Sequence, residues 1–154
     1  MRIFRCTLIC LLGLLFIPSA STSAQEWTRF RGPNGMGCSP ATNLPAKWTE
    51  ADYHWKAALP GQGHSSPVLW GDKIFLMSAD AATATRYVLC LSAADGRELW
   101  RRQYESQTHR IHSRNTFGSC TPAVDAERLY VAWSTPDRLT LLALAHDGKD
   151  VWDL

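Results

Sequence analysis

Apolar positions fall in short, unbroken runs from residue 64 onward. Ile74-Phe75-Leu76-Met77, Val88-Leu89-Cys90-Leu91 and Leu141-Leu142-Ala143-Leu144 are each closely bounded by turn pairs: Gly71-Asp72, Asp95-Gly96, Pro136-Asp137 and Asp147-Gly148. Runs this short and this tightly punctuated read as strands rather than helices. The pattern predicts strands over 65–69, 73–78, 87–92 and 98–104, then over 119–124, 128–134, 139–145 and 150–154. A sheet with one wet face would alternate apolar and polar positions, so the continuous runs predict sheets buried on both faces.

The pattern occurs twice. Ser66-Pro67-Val68-Leu69-Trp70-Gly71-Asp72-Lys73-Ile74-Phe75 is answered by Thr121-Pro122-Ala123-Val124-Asp125-Ala126-Glu127-Arg128-Leu129-Tyr130, and Asp95-Gly96-Arg97-Glu98-Leu99-Trp100 by Asp147-Gly148-Lys149-Asp150-Val151-Trp152. The offset is about 52–55 residues, the slack being taken up by a hairpin tip at 79–86 that is longer than its counterpart at 134–138. Four-stranded sheets of this period, stacked face to face around an axis, make a β-propeller. The expected fold is all-β: two blades, at 64–104 and 118–154, joined by a loop at 105–117. His54-Trp55-Lys56-Ala57-Ala58-Leu59 repeats the last strand of a blade without its first three strands. It is expected to serve as a closing strand within an arm at 25–63. Two blades and a spare strand do not close a ring, and the second blade stops inside its last strand. The expectation is the N-terminal part of a longer protein.

Residues 1–24 stand apart. Arg2 and Arg5 precede an apolar run from Cys6 to Ile17, then Pro18 and small residues to Ala24, which is the layout of a secretory signal peptide. The run is too short to span a bilayer, which takes about 20 residues. Export to the periplasm or outside the cell is expected, with membrane association only through this segment if it stays uncleaved. The net charge of +2 falls near zero once the basic leader is removed, so nucleic-acid binding is not implied. Cys38, Cys90 and Cys120 remain. Cys90 reads as a core residue, and free thiols at Cys38 and Cys120 are favoured over a disulfide between them.

The pattern Ser-Pro-Val…Gly-Asp-Lys-Ile-Phe…Ala-Asp-Gly-Arg-Glu-Leu-Trp resembles the PQQ-type, quinoprotein-dehydrogenase-like propeller repeat. The chain is similar to the BamB-like group of exported bacterial members of that family over about residues 27–154. The resemblance implies that Trp100, Trp152 and Trp55 dock between neighbouring blades, where a large flat ring fills the gap between radial sheets. It implies two functions. The favoured one is a non-enzymatic binding or assembly scaffold in the cell envelope, with proteins or envelope material as partners. The alternative is a fragment of a quinone-dependent dehydrogenase, which would use PQQ and calcium beside an adjacent Cys-Cys pair.

No catalytic residue is assigned and no cofactor or metal is evident from the sequence. There is no Cys-Cys pair and no carboxylate set with calcium-ligand spacing. Asp72, Asp95, Asp137 and Asp147 sit in turn signals, where carboxylates commonly bond their own backbone. The unusual segment is the inter-blade loop, with His109, His112, Arg114 and Asn115; His64 occupies the equivalent approach to the first blade. These five residues are the candidate ligand rim, suited to an anion, a metal or a partner peptide. The plainer reading is a solvated polar loop.

Overall fold

The computed structural model describes residues 26–42 and 44–154, so the expected leader over 1–24 lies outside the described residues. Eight strands form in chain order: β1 (Val68–Trp70), β2 (Lys73–Ala79), β3 (Arg86–Ser92), β4 (Glu98–Tyr104), β5 (Ala123–Val124), β6 (Arg128–Ser134), β7 (Leu139–Ala145) and β8 (Asp150–Asp153). They make two antiparallel four-stranded sheets, ordered β1-β2-β3-β4 and β5-β6-β7-β8. The repeat extends to a defect. The third and fourth strands slip register at Cys90/Leu91 in the first sheet and at Ala143/Leu144 in the second.

The innermost strands are shorter than their sequences suggest. Pro67 and Pro122 have no N–H to donate to a ladder. The residues before β1 bond across to the second sheet instead: Ser65 N–H donates to the Gly118 carbonyl at 3.1 Å, and Ser66 N–H to Thr121 Oγ1 at 3.0 Å. This crossing joins the two sheets at their inner ends.

The sheets meet face to face through Val68, Phe75, Met77, Val88 and Cys90 on one side and Val124, Leu129, Val131, Trp133, Leu142 and Leu144 on the other. Each fully buried large side chain there contributes about 1.5–3 kcal/mol. The far face of the first sheet is also covered, with Leu76, Leu89 and Leu91 buried beneath Ala57 of the N-terminal segment. The last five residues of β2 are therefore all buried, as the continuous apolar run predicts. In the second sheet, β6 alternates between half-buried and buried, because only its inward face meets a neighbour among the described residues.

Residues 54–59, expected as a closing strand, pair with no strand among the described residues and pack instead against the first sheet, with Ala57 on its far face. Trp55 Nε1 donates to the Ala93 carbonyl at 3.0 Å and its ring lies on Gly96. Trp100 repeats the arrangement one blade later, donating to the His146 carbonyl at 2.9 Å with its ring on Gly148. Gly96 and Gly148 both have positive φ, and a Cβ on either would enter the indole. Trp152 differs. It is half-buried and packs against Tyr130 of its own sheet at 6.2 Å, with no glycine beneath it among the described residues.

The arm reaches the inner edge. Trp27 exchanges both backbone hydrogen bonds with Leu69, and the Thr28 carbonyl accepts from Val124 N–H at 2.8 Å. Phe30, on the same arm, is 60% exposed. Among the described residues no helix is long and apolar enough to cross a membrane.

Candidate functional site

The connection from β4 to β5 and the β2–β3 and β6–β7 tips share one end of the sheets; the Asp-Gly turns lie at the other. At the first end the chain is organised by Arg86, which opens β3 and is 2% exposed. Its guanidinium donates to the Ala84 carbonyl at 3.3 Å, Ser106 Oγ at 2.5 Å and the Ser134 carbonyl at 3.3 Å, and it stands over the rings of Phe117 and Trp133. It thereby ties a hairpin tip, the inter-blade loop and the second sheet together. No carboxylate pairs with it among the described residues, and its Nε–H has no partner. Burial pushes the guanidinium below its ordinary range.

Three of the five rim residues share one turn. His112 accepts the Arg114 N–H on Nδ1 at 3.1 Å, and its carbonyl accepts the Asn115 N–H at 2.8 Å. The Arg114 side chain is exposed and without a partner among the described residues. His109 turns inward instead: half-buried, its ring meets the edge of Phe117 at 5.1 Å. His64 is exposed on the segment that Ser65 and Ser66 hold beside 118–121. The loop's basic groups are thus split between a solvent-facing turn and an aromatic packing site.

Sequence reasoning missed a second feature. A cleft of about 760 Å³ opens between the end of β4 with residues 105–109, the β6–β7 tip and β8. Tyr104, Trp133 and Leu142 give it an apolar base, the two rings 5.2 Å apart. Glu105, Asp137, Asp150 and Asp153 stand around it, with Arg138 as the fixed cation of its lining. Asp150 is engaged by Arg102 and by the Tyr104 hydroxyl, and Glu105 by Gln103 and Thr85. Asp137 has no partner among the described residues, and Asp153 meets only Arg138, at 3.8 Å. Thr140 lines the cleft at 9% exposure, and its hydroxyl bonds nothing among the described residues.

The turn carboxylates behave unevenly. Asp95 and Asp147 accept backbone N–H groups two residues ahead, as expected. Asp72 instead pairs with Lys73, and the tip around Asp137 is closed by Thr135 bonding Arg138. That leaves Asp137 without a partner among the described residues. Among the described residues no group of three or more His, Cys, Asp or Glu is placed to hold a metal ion. The sequence also has no adjacent cysteine pair. Cys38, Cys90 and Cys120 are free thiols.

The family model described as outer membrane protein assembly factor BamB matches residues 47–154. Among solved structures the chain is similar to BamB from Moraxella catarrhalis, with 21% identity and a TM-score of 0.46. The similarity covers 65% of this chain and 27% of that one, so the chain spans little more than a quarter of that protein's length. No curated protein sequence matches it.

Proposed function

This chain belongs to the family of outer membrane protein assembly factor BamB, and from that premise we propose that it is a non-enzymatic binding scaffold of the cell envelope. On this reading its PQQ-repeat propeller presents loops at one end of the sheets to partner proteins. The family match over the repeat region is the observation that carries the reading, and a leader-like segment at 1–24 supports an exported, periplasmic location. The rim is assigned to His64, His112, Arg114 and Asn115, with His109 holding the loop on Phe117. The dehydrogenase alternative finds no support in the donor set.

The test is site-specific photo-cross-linking in the full-length protein in its host envelope. A cross-linker at Arg114 should capture discrete protein partners. The same group at Lys149, on the Asp-Gly turn end, should capture few. Equal capture from both positions would overturn the assignment of the presenting end, and quinone-dependent oxidation of an alcohol or sugar by the purified protein would overturn the scaffold reading.

A further inference from the structure

The cleft between the outer strands is built for a different chemistry from the basic loop beside it. Its base is apolar, from Tyr104, Trp133 and Leu142. Two carboxylates at its rim, Asp137 and Asp153, lack strong partners: Asp137 has none among the described residues, and Asp153 has one exposed cation at 3.8 Å. Thr140, 9% exposed as a residue, lines the cleft with a hydroxyl that is unbonded among the described residues. That hydroxyl is not sealed in the core, so it can bond a group entering the cleft. The volume of about 760 Å³ falls within the range of ligand-binding clefts.

We propose that this cleft receives a lysine or arginine side chain presented by a partner polypeptide. Such a side chain is amphipathic in the same sense as the cleft. Its methylene stem lies along apolar surface while its head seeks charge and hydrogen bonds. Here the stem covers Tyr104, Trp133 and Leu142, and the head reaches Asp137 and Asp153 and displaces the long contact from Arg138. An anionic ligand meets a lining with more carboxylates than cations, and a neutral polyol leaves Asp137 uncompensated. The cleft exceeds the size of one side chain, so it admits the flanking residues of a segment laid between β4 and β8. This rests on the scaffold reading and names what the scaffold recognises.

The test titrates the full-length protein, isotope-labelled, with an arginine-containing pentapeptide, its glutamate analogue and spermidine. The arginine peptide should shift the Trp133 indole and Thr140 methyl signals, and binding should weaken as salt is raised. Asp137→Asn with Asp153→Asn should weaken it about tenfold, Thr140→Val several-fold, and Asp147→Asn at the opposite end not at all. Shifts outside the cleft, equal binding of the glutamate peptide, or an unaffected double variant would overturn the proposal. Spermidine binding as tightly as the peptide would overturn the polypeptide occupant. Arg114 cross-links surviving in the double variant would leave the scaffold standing whichever way the peptide result falls.

Discussion

The ring of Trp100 lies against Gly148 so closely that a Cβ on that glycine would sit 2.9 Å from indole Cδ2. The same ring donates its N–H to the His146 carbonyl. One side chain of the first sheet thus reads the turn geometry of the second, which is how a linear repeat becomes a stacked pair. Gly148→Ala meets two penalties, a φ of +85° and the indole. It should cost about 2 kcal/mol or more.

Trp100→Ala removes the ring and should cost about 3 kcal/mol, the low end for a buried aromatic because Trp100 is half-buried. In the 154-residue chain Trp152→Ala should cost clearly less, since Trp152 bonds no neighbouring turn among the described residues. Denaturant unfolding of that chain separates the two. Equal costs would mean that the docking of Trp100 adds nothing beyond its burial.

The fold was legible because each of its causes is local or periodic. Apolar runs bounded by Asp-Gly turns specify strands, and repetition places the second sheet on the first. Trp55 and Trp100 were found by the same repetition. The cleft escaped because its parts carry separate local meanings: Thr140 reads as a strand residue and Asp137 as a turn carboxylate. Only assembly shows that Thr135 closes the tip, leaving Asp137 spare. The one local hint was that Pro136-Asp137 departs from the Asp-Gly turns elsewhere. The sequence placed His109, His112, Arg114 and Asn115 together in the inter-blade loop, but it gave no sign that Phe117 would draw His109 aside.

Stability should fall on acidification through named carboxylates. Backbone N–H groups of Thr83 and Ala82 hold Asp80 below the usual carboxylate range, and those of Glu127 and Arg128 do the same for Asp125. A depressed folded-state value means each contribution is complete above the unfolded value of about 4 and is lost as pH falls through the folded one. The stability gap between the wild type and Asp80→Asn or Asp125→Asn should therefore shrink below about pH 4. A gap that stays constant to lower pH would remove these carboxylates from the account.

Cysteine reactivity should sort by burial. Cys90 is fully enclosed between the sheets, and desolvation pushes its thiol up to about 12. Burial also raises Cys120, though its surface is exposed. At pH 8, mass mapping after brief alkylation should find Cys38 modified first, Cys120 more slowly and Cys90 only after unfolding. Modification of Cys90 at the rate of Cys38 would show that the inter-sheet core opens readily.

Arg86 is a buried cation held by neutral acceptors. Among the described residues two backbone carbonyls and one hydroxyl receive it, two rings flank it, and its Nε–H is unmet. Charges enclosed without a carboxylate are expensive, and replacing one with an apolar side chain of similar volume is often neutral or stabilising. The equivalent position at the start of β7 is Leu139, which is 70% exposed, so the buried cation belongs to β3 and not to the repeat as such. Arg86→Met should therefore change stability by no more than about 1 kcal/mol, whereas Arg86→Ala, which leaves a cavity beside Phe117 and Trp133, should cost about 3 kcal/mol. Both variants lose the tie between the hairpin tip, Ser106 and Ser134, so amide exchange across 105–117 should quicken in each. Arg86→Met as damaging as Arg86→Ala would show that the charge itself holds the junction. Unchanged exchange in the loop would show that the guanidinium does not organise it.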